Sequence, residues 1–282
     1  MRIFFKRPSV LLHAFAAALL WTTFVLAQGA PNLRLYVLDG GLLTNARPEG
    51  YGLTQADVAE SDMSVPVFLI VHPRGSVLWD TGLGDDLKDR PGTQTGFGRV
   101  VTAGVKDQLA AIGYTPDRIT FLVLSHTHFD HVGNAKDYLG STLLMQRAEW
   151  QSVFADNLPR PPLEFARFSG LKNSKTVLLD GDHDVFGDGT VVIKSTPGHT
   201  PGHQSLFVNL PRTGPVVLSG DLYHYAAERT KHTMPPRETA EGVTATSRVA
   251  MEAFIAKTGA TLWIQHDLPN WRQLKKSPEY YD

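Results

Sequence analysis

The chain has 282 residues, which suits one large or two small domains, and its 42% hydrophobic and 20% charged content is enough for a sizeable core. Its 27 Lys and Arg balance 28 Asp and Glu, so no basic excess points to nucleic acid. The absence of cysteine excludes disulfides, thiolate metal ligands and a lipoprotein anchor.

Arg2, Lys6 and Arg7 precede an almost unbroken apolar run from Val10 to Leu26, and Val25-Leu26-Ala27 places a small residue at −1 and a small apolar one at −3 of a cleavage site. This layout predicts a secretory signal peptide over residues 1–27 and a secreted or periplasmic product. A retained N-terminal anchor is the alternative, because the run is near the lower limit for a membrane span. Removing the leader takes away three positive charges and leaves 24 basic against 28 acidic residues, a balance of −4.

Residues 28–282 read as one domain. Leu33–Asp39, Val65–His72 and Ser76–Asp80 are predicted strands, rich in β-branched and apolar residues, with Pro73-Arg74-Gly75 as a hairpin turn. Residues 44–64 and 84–98 read as surface loops. Val101, Val105, Leu109 and Ile112 recur at helical spacing. Ile119–Leu124 is a continuous apolar run, predicted to be a buried strand that stops at Ser125. Further strands are expected at Thr176–Leu179, Thr190–Ser195, Ser205–Asn209, Val216–Leu218 and Thr261–Gln265. A helix over Thr246–Lys257 is closed by Gly259. Two strand-rich halves with helices predict stacked sheets carrying helices outside.

The segment after the buried strand is His126-Thr127-His128-Phe129-Asp130-His131. Two histidines two apart diverge on a helix but point the same way at a strand end, so both imidazoles can face one metal. Asp130 and His131 follow in the turn and can reach a second. Left without a metal, these close polar groups would need several buried partners.

The motif resembles that of the metallo-β-lactamase superfamily, and the rest of the chain agrees in order. Ser195–His203 (STPGHTPGH) resembles the second ligand loop, Ser219-Gly220-Asp221 the bridging carboxylate, and Ile264-Gln265-His266-Asp267 the last ligand. Val77–Gly82 (VLWDTG) resembles the early strand whose Asp, here Asp80, supports the ligand histidines. The resemblance covers about residues 34–268 and implies an α/β fold, an αββα sandwich of two packed mixed sheets with helices on the outer faces. It assigns His126, His128 and His199 to one metal, Asp130, His131 and His266 to the other, and Asp221 to both. Imidazole and carboxylate ligands suit Zn²⁺, though Co²⁺, Mn²⁺ and Fe²⁺ also fit. His203 is expected to support the ligands from behind, and His72 and His183 to be ordinary structural or surface residues. His232 lies in the 228–242 loop, where substrate contact is a lesser alternative.

Within that superfamily, Leu124–Gly133 and Thr196–Leu206 are most similar to N-acyl-homoserine lactonases, in particular an exported, quorum-quenching group. The resemblance implies a metal-dependent hydrolase that opens the lactone ring with hydroxide generated at the metals, Asp130 carrying a proton to the leaving oxygen. Where cytosolic members carry a carbonyl-polarising Tyr three residues after the bridging Asp, this chain has His224, with Tyr223 one before it. His224 is expected to take over that hydrogen bond, with Tyr223 as the alternative. Phe129 is expected to line an acyl-tail trough; Phe97, Met145, Trp150 and Phe154 are further candidates that base rates favour as core. The rival readings are a zinc β-lactamase, a thioesterase or aryl- or phosphate-ester hydrolase on the same site, an iron-based redox domain, and a non-catalytic metal-binding protein. The expected partner is a small lactone with an acyl tail, with no nucleic acid and no membrane after leader removal; a homodimer stays open.

Overall fold

β1 (Arg34–Thr44) sends its side chains alternately to two cores. Leu35 and Val37 enter the space between two sheets, while Tyr36 and Leu38 face outward. The computed structural model describes residues 32–282 except 89, 91–97, 157, 159–163, 237 and 239, together with Met1 and Ile3. Apart from Met1 and Ile3, the expected signal peptide over 1–27 lies outside the described residues, as does Phe97.

The first half adds β2 (Met63–His72), β3 (Gly75–Trp79), β4 (Gly98–Val100), β5 (Phe121–Val123), β6 (Thr142–Gln146) and β7 (Thr176–Leu179). With β1 they form a mixed seven-stranded sheet in the order β4-β1-β2-β3-β5-β6-β7. The second half supplies β8 (His183–Asp184), β9 (Val191–Ser195), β10 (Gln204–Leu210), β11 (Gly214–Leu218) and β12 (Thr261–Trp263). These make a five-stranded sheet, β12-β11-β10-β9-β8, in which only the β11–β12 pair is parallel.

The inner faces meet through Phe68, Ile70, Trp79 and Val123 on one side and Ile193, Leu206, Leu218 and Trp263 on the other. Trp79 is fully buried and donates its Nε1–H to Gln265 Oε1 at 3.3 Å. Truncating such a side chain to Ala costs roughly 3–5 kcal/mol. Helices α1 (Val105–Ala111) and α2 (Arg147–Phe154) lie on the outer face of the larger sheet, where Leu109 and Phe154 join Leu69, Leu78 and Leu122. Helix α4 (Glu241–Thr258) covers the smaller sheet through Met251, Phe254 and Ile255, which pack with Phe207 and Val217. Gly259 closes α4 in the left-handed conformation (φ 69°), its N–H bonding Ile255 O. The result is the αββα sandwich. Shorter helices α3 (Ala226–Lys231) and α5 (Leu268–Gln273) complete the fold. Among the described residues no helix is long and apolar enough to cross a membrane.

The segments read as loops are only partly so. Met63 and Ser64 extend β2, and Gly98–Val100 pairs with β1 as β4. Met145 and Phe154 lie in the outer core with Trp150 packed against it, so none of the three forms a trough wall.

Candidate metal centre

The ligand loops all follow the C-terminal ends of strands. Asp80 comes after β3, the His126–His131 loop after β5, His199 after β9, Asp221 after β11 and His266 after β12. Two sheets pressed face to face bring these ends together.

The donors fall into two sets, His126, His128, His199 and Asp221, and Asp130, His131 and His266. In the first, His126 Nε2 and His199 Nε2 lie 2.9 and 3.0 Å from His128 Nδ1. Asp221 Oδ2 is 3.6 Å from His126 Nε2 and 3.4 Å from His199 Nε2. In the second, Asp130 Oδ2 is 3.6 Å from His131 Nε2 and 3.5 Å from His266 Nε2. Asp221 Oδ1 is 3.2 and 3.1 Å from those same nitrogens. One carboxylate therefore turns one oxygen to each set.

These separations fit a pair of cations. Ligand bonds of about 2.0–2.1 Å in a tetrahedral shell put donors about 3.3 Å apart. The alternative, lone pairs converging on one another, is unfavourable. His131 Nε2 and Asp221 Oδ1 are buried and lack a directed hydrogen bond, as expected of atoms whose partner is an ion.

Four of the five imidazoles, those of His126, His131, His199 and His266, are fixed from behind, which sets which nitrogen faces the site. His131 Nδ1 bonds Asp80 Oδ2 at 2.9 Å and His199 Nδ1 bonds Glu238 Oε1 at 3.2 Å. His266 Nδ1 donates to Ser64 O at 2.7 Å. Ser125 Oγ donates to Asp80 Oδ2 and lies 3.1 Å from His126 Nδ1. Asp80, fully buried, also accepts from Ser125 N and Gln265 Nε2. His203 is buried outside both sets. Its Nδ1 donates to Thr196 O at 3.0 Å and its Nε2 accepts from Asp221 N at 2.9 Å, so it holds the bridging residue by the backbone.

The electrostatics divide the histidines. Burial, then repulsion from His131, hold His126 well below the usual imidazole range. Burial, then His199, lower His203 to about 3, which keeps its Nε2 an acceptor. Burial would also lower His131, but Asp221, Asp130 and Asp80 outweigh it and raise it well above.

A cavity of about 550 Å³ opens above these donors. Leu43, Tyr51, Met63 and Phe129 give it an apolar side, and His224, Glu238, Asn45 and Arg47 a polar one. His224 lies 3.3 Å from Asp221 Oδ2 through Nε2. Burial opposes its protonation, and Asp221 and Glu228 overcome that and raise it to about 10. Tyr223 is not brought to the donors. Its hydroxyl donates to Glu252 Oε1 at 3.1 Å and Arg248 sits over its ring, so the alternative donor faces α4 instead. His72, at the end of β2, bonds Asp188, and it, His183 and His232 stay outside the cavity. Phe129 does line it, with the Arg99 guanidinium 4.1 Å from its ring centre.

Tyr51 and Glu238 are among the site residues that escaped the sequence reading. The Tyr51 ring lies 4.4 Å from that of His224, tilted by 48°, and its hydroxyl donates to Met63 Sδ at 3.9 Å. Glu238 is a lone acid in a polar loop. Neither belongs to a motif, and each is recognisable only once the chain is folded.

A face-to-face sandwich with two cation sites sharing one carboxylate at its strand ends defines a dinuclear metal protein. The chain belongs to the metallo-β-lactamase superfamily, whose model matches residues 61–256. A relative from Rhizobium radiobacter named N-acyl homoserine lactonase AttM is 30% identical over 268 residues, covering 89% of this chain and 99% of that one. N-acyl homoserine lactonase AiiA of Bacillus thuringiensis subsp. kurstaki is 25% identical over 228 residues, 77% of this chain and 88% of that one. The solved structure of an N-acyl homoserine lactone hydrolase with its product bound superposes with a TM-score of 0.74. It is 23% identical and covers 88% of this chain and 98% of that one. The dizinc quorum-quenching lactonase AidC gives 0.63 at 18% identity, over 90% and 95% of the two chains.

Proposed function

We propose that this protein is a two-zinc lactonase that opens the ring of N-acyl-homoserine lactones. The observation that carries the reading is Asp221, one oxygen to each donor set, on the floor of a cavity with an apolar side. The names of the relatives support the same substrate class.

Two divalent ions held by His126, His128, His199, Asp130, His131, His266 and Asp221 would supply Lewis-acid polarisation of a carbonyl and an activated water near neutral pH. The chain's own groups do the rest. Asp130, buried beside His131 and His266, is placed to carry a proton to the ring oxygen as it leaves. His224 is placed to donate a hydrogen bond to the carbonyl oxygen, where charge develops. Glu228 backs it: one carboxylate oxygen accepts from the N–H groups of His224 and Tyr225 at 2.6 and 2.9 Å. The other accepts from Arg248 at 2.8 Å. Leu43, Met63 and Phe129 receive the acyl tail and keep water from it.

The test is a substrate panel on zinc-loaded enzyme: acyl-homoserine lactones of several tail lengths, nitrocefin, S-lactoylglutathione and an aryl ester. Lactone opening that outruns the other three is the expected result; faster nitrocefin turnover would make it a β-lactamase. We also propose export, on the charge and apolar pattern of residues 1–27. A periplasmic product beginning at Gln28 is expected, and a cytosolic chain retaining its leader overturns that part alone.

A further inference from the structure

Glu149 stands in the first turn of α2 and is 1% exposed. Among the described residues no cation pairs with it. Its two carboxyl oxygens accept four hydrogen bonds instead. Oε1 accepts from Thr127 N at 2.9 Å and from Thr127 Oγ at 2.7 Å. Oε2 accepts from Thr200 Oγ at 2.7 Å and from Gly202 N at 3.1 Å.

The partners are specific. Thr127 lies between His126 and His128, and Thr200 follows His199. These three histidines are the imidazoles of one donor set. No bond from Glu149 reaches Asp130, His131 or His266. The two loops come from different sheets, one after β5 and one between β9 and β10, and Glu149 joins them from a third element. Gly202 shows how close the approach is: a Cβ there would sit 2.3 Å from Glu149 N and 2.5 Å from Glu149 Cβ. Glycine at that position lets the backbone N–H reach the carboxylate.

The geometry points to Glu149 as the positioning residue of the His126–His128–His199 site, holding its two ligand loops in register while leaving the second site untouched. This rests on the two-metal reading above. The pattern also explains why a carboxylate is required. Each oxygen receives a backbone N–H, which can only donate, so both oxygens must accept. Glutamine is nearly the same size but must set its NH₂ against Thr127 N or Gly202 N. One loop then loses its anchor and leaves a buried N–H unmet.

The inference is tested on the full-length mature protein by zinc stoichiometry and affinity, with E149Q and T200V beside the wild type. The wild type is expected to hold two ions after dialysis. E149Q should retain one and release the other at least 10-fold more readily, with its far-UV circular dichroism unchanged. In cobalt-substituted protein, E149Q should lose the absorption of one site and keep that of the other. T200V removes a single hydroxyl, and it should weaken the same ion by about threefold to tenfold. Should E149Q not fold, T200V decides alone. Equal weakening of both ions, or wild-type retention of both in E149Q and T200V, overturns the inference. A wild type that binds fewer than two ions would instead defeat the two-metal reading, and lactone turnover plays no part in the outcome.

Discussion

The floor of the cavity and its walls are built by different means. Every floor donor stands just past a strand end, with the outer nitrogen of His126, His131, His199 and His266 fixed by Ser125, Asp80, Glu238 and Ser64 O. The walls come largely from loops and short helical turns, with Leu43 and Met63 added by the ends of β1 and β2, and Tyr51, Phe129 and His224 meet from three distant stretches. The floor is therefore preorganised by backbone and buried polar bonds, whereas the walls are held by ring packing such as Tyr51 on His224 and Arg99 on Phe129. Function is thus rigid at the floor and free to drift at the walls: cation binding tolerates little change, and substrate fit tolerates more.

Substitutions on the two sides should separate accordingly. Asp221→Asn removes the oxygen pair that serves both donor sets, and lactone turnover should fall on the order of 10⁴-fold or more, with lower metal content by elemental analysis. Asp130→Asn should lower kcat by about 10³-fold with little change in KM; a rise in KM at constant kcat would remove its proton-carrying role. On the wall, His224→Ala should cost about 10²-fold in kcat at unchanged metal content. Unchanged turnover there would leave His224 a packing residue. Tyr51→Phe deletes a hydroxyl that donates to a thioether, and about a fivefold loss is expected. A Tyr51→Phe loss as large as that of Asp130→Asn would break the division between floor and wall.

The floor was legible from residue order because its ligands cluster. A continuous apolar run ending at Ser125, followed by alternating histidines, fixes both the strand and the direction of two side chains. The walls were not. Tyr51 sits in a polar stretch read as surface loop, and nothing near it in sequence marks it as a neighbour of His224. The buried acids Glu149, Glu228 and Glu238 are isolated in sequence, and solvated acids look the same there. Strand β6 and helix α2 were missed for a related reason. Thr142–Gln146 passes directly into Arg147–Phe154 with no breaker between them, so neither periodicity has room to show. Spacing favours His224 and leaves Tyr223 as the alternative, and it is packing against Glu252 and Arg248 that turns the tyrosine away.

Each donor set draws on both sheets. His126, His128, Asp130 and His131 follow a strand of the seven-stranded sheet, while His199, Asp221 and His266 follow strands of the five-stranded one. In a chain without cysteine, two bound ions act as the cross-links that disulfides would otherwise provide. Each ion present at 100 times its dissociation constant contributes about 2.7 kcal/mol to the folded state. Loss of an ion would then remove one cross-link between the two halves, and metal starvation would lower the resistance of the fold to heat and proteolysis as well as stop the chemistry.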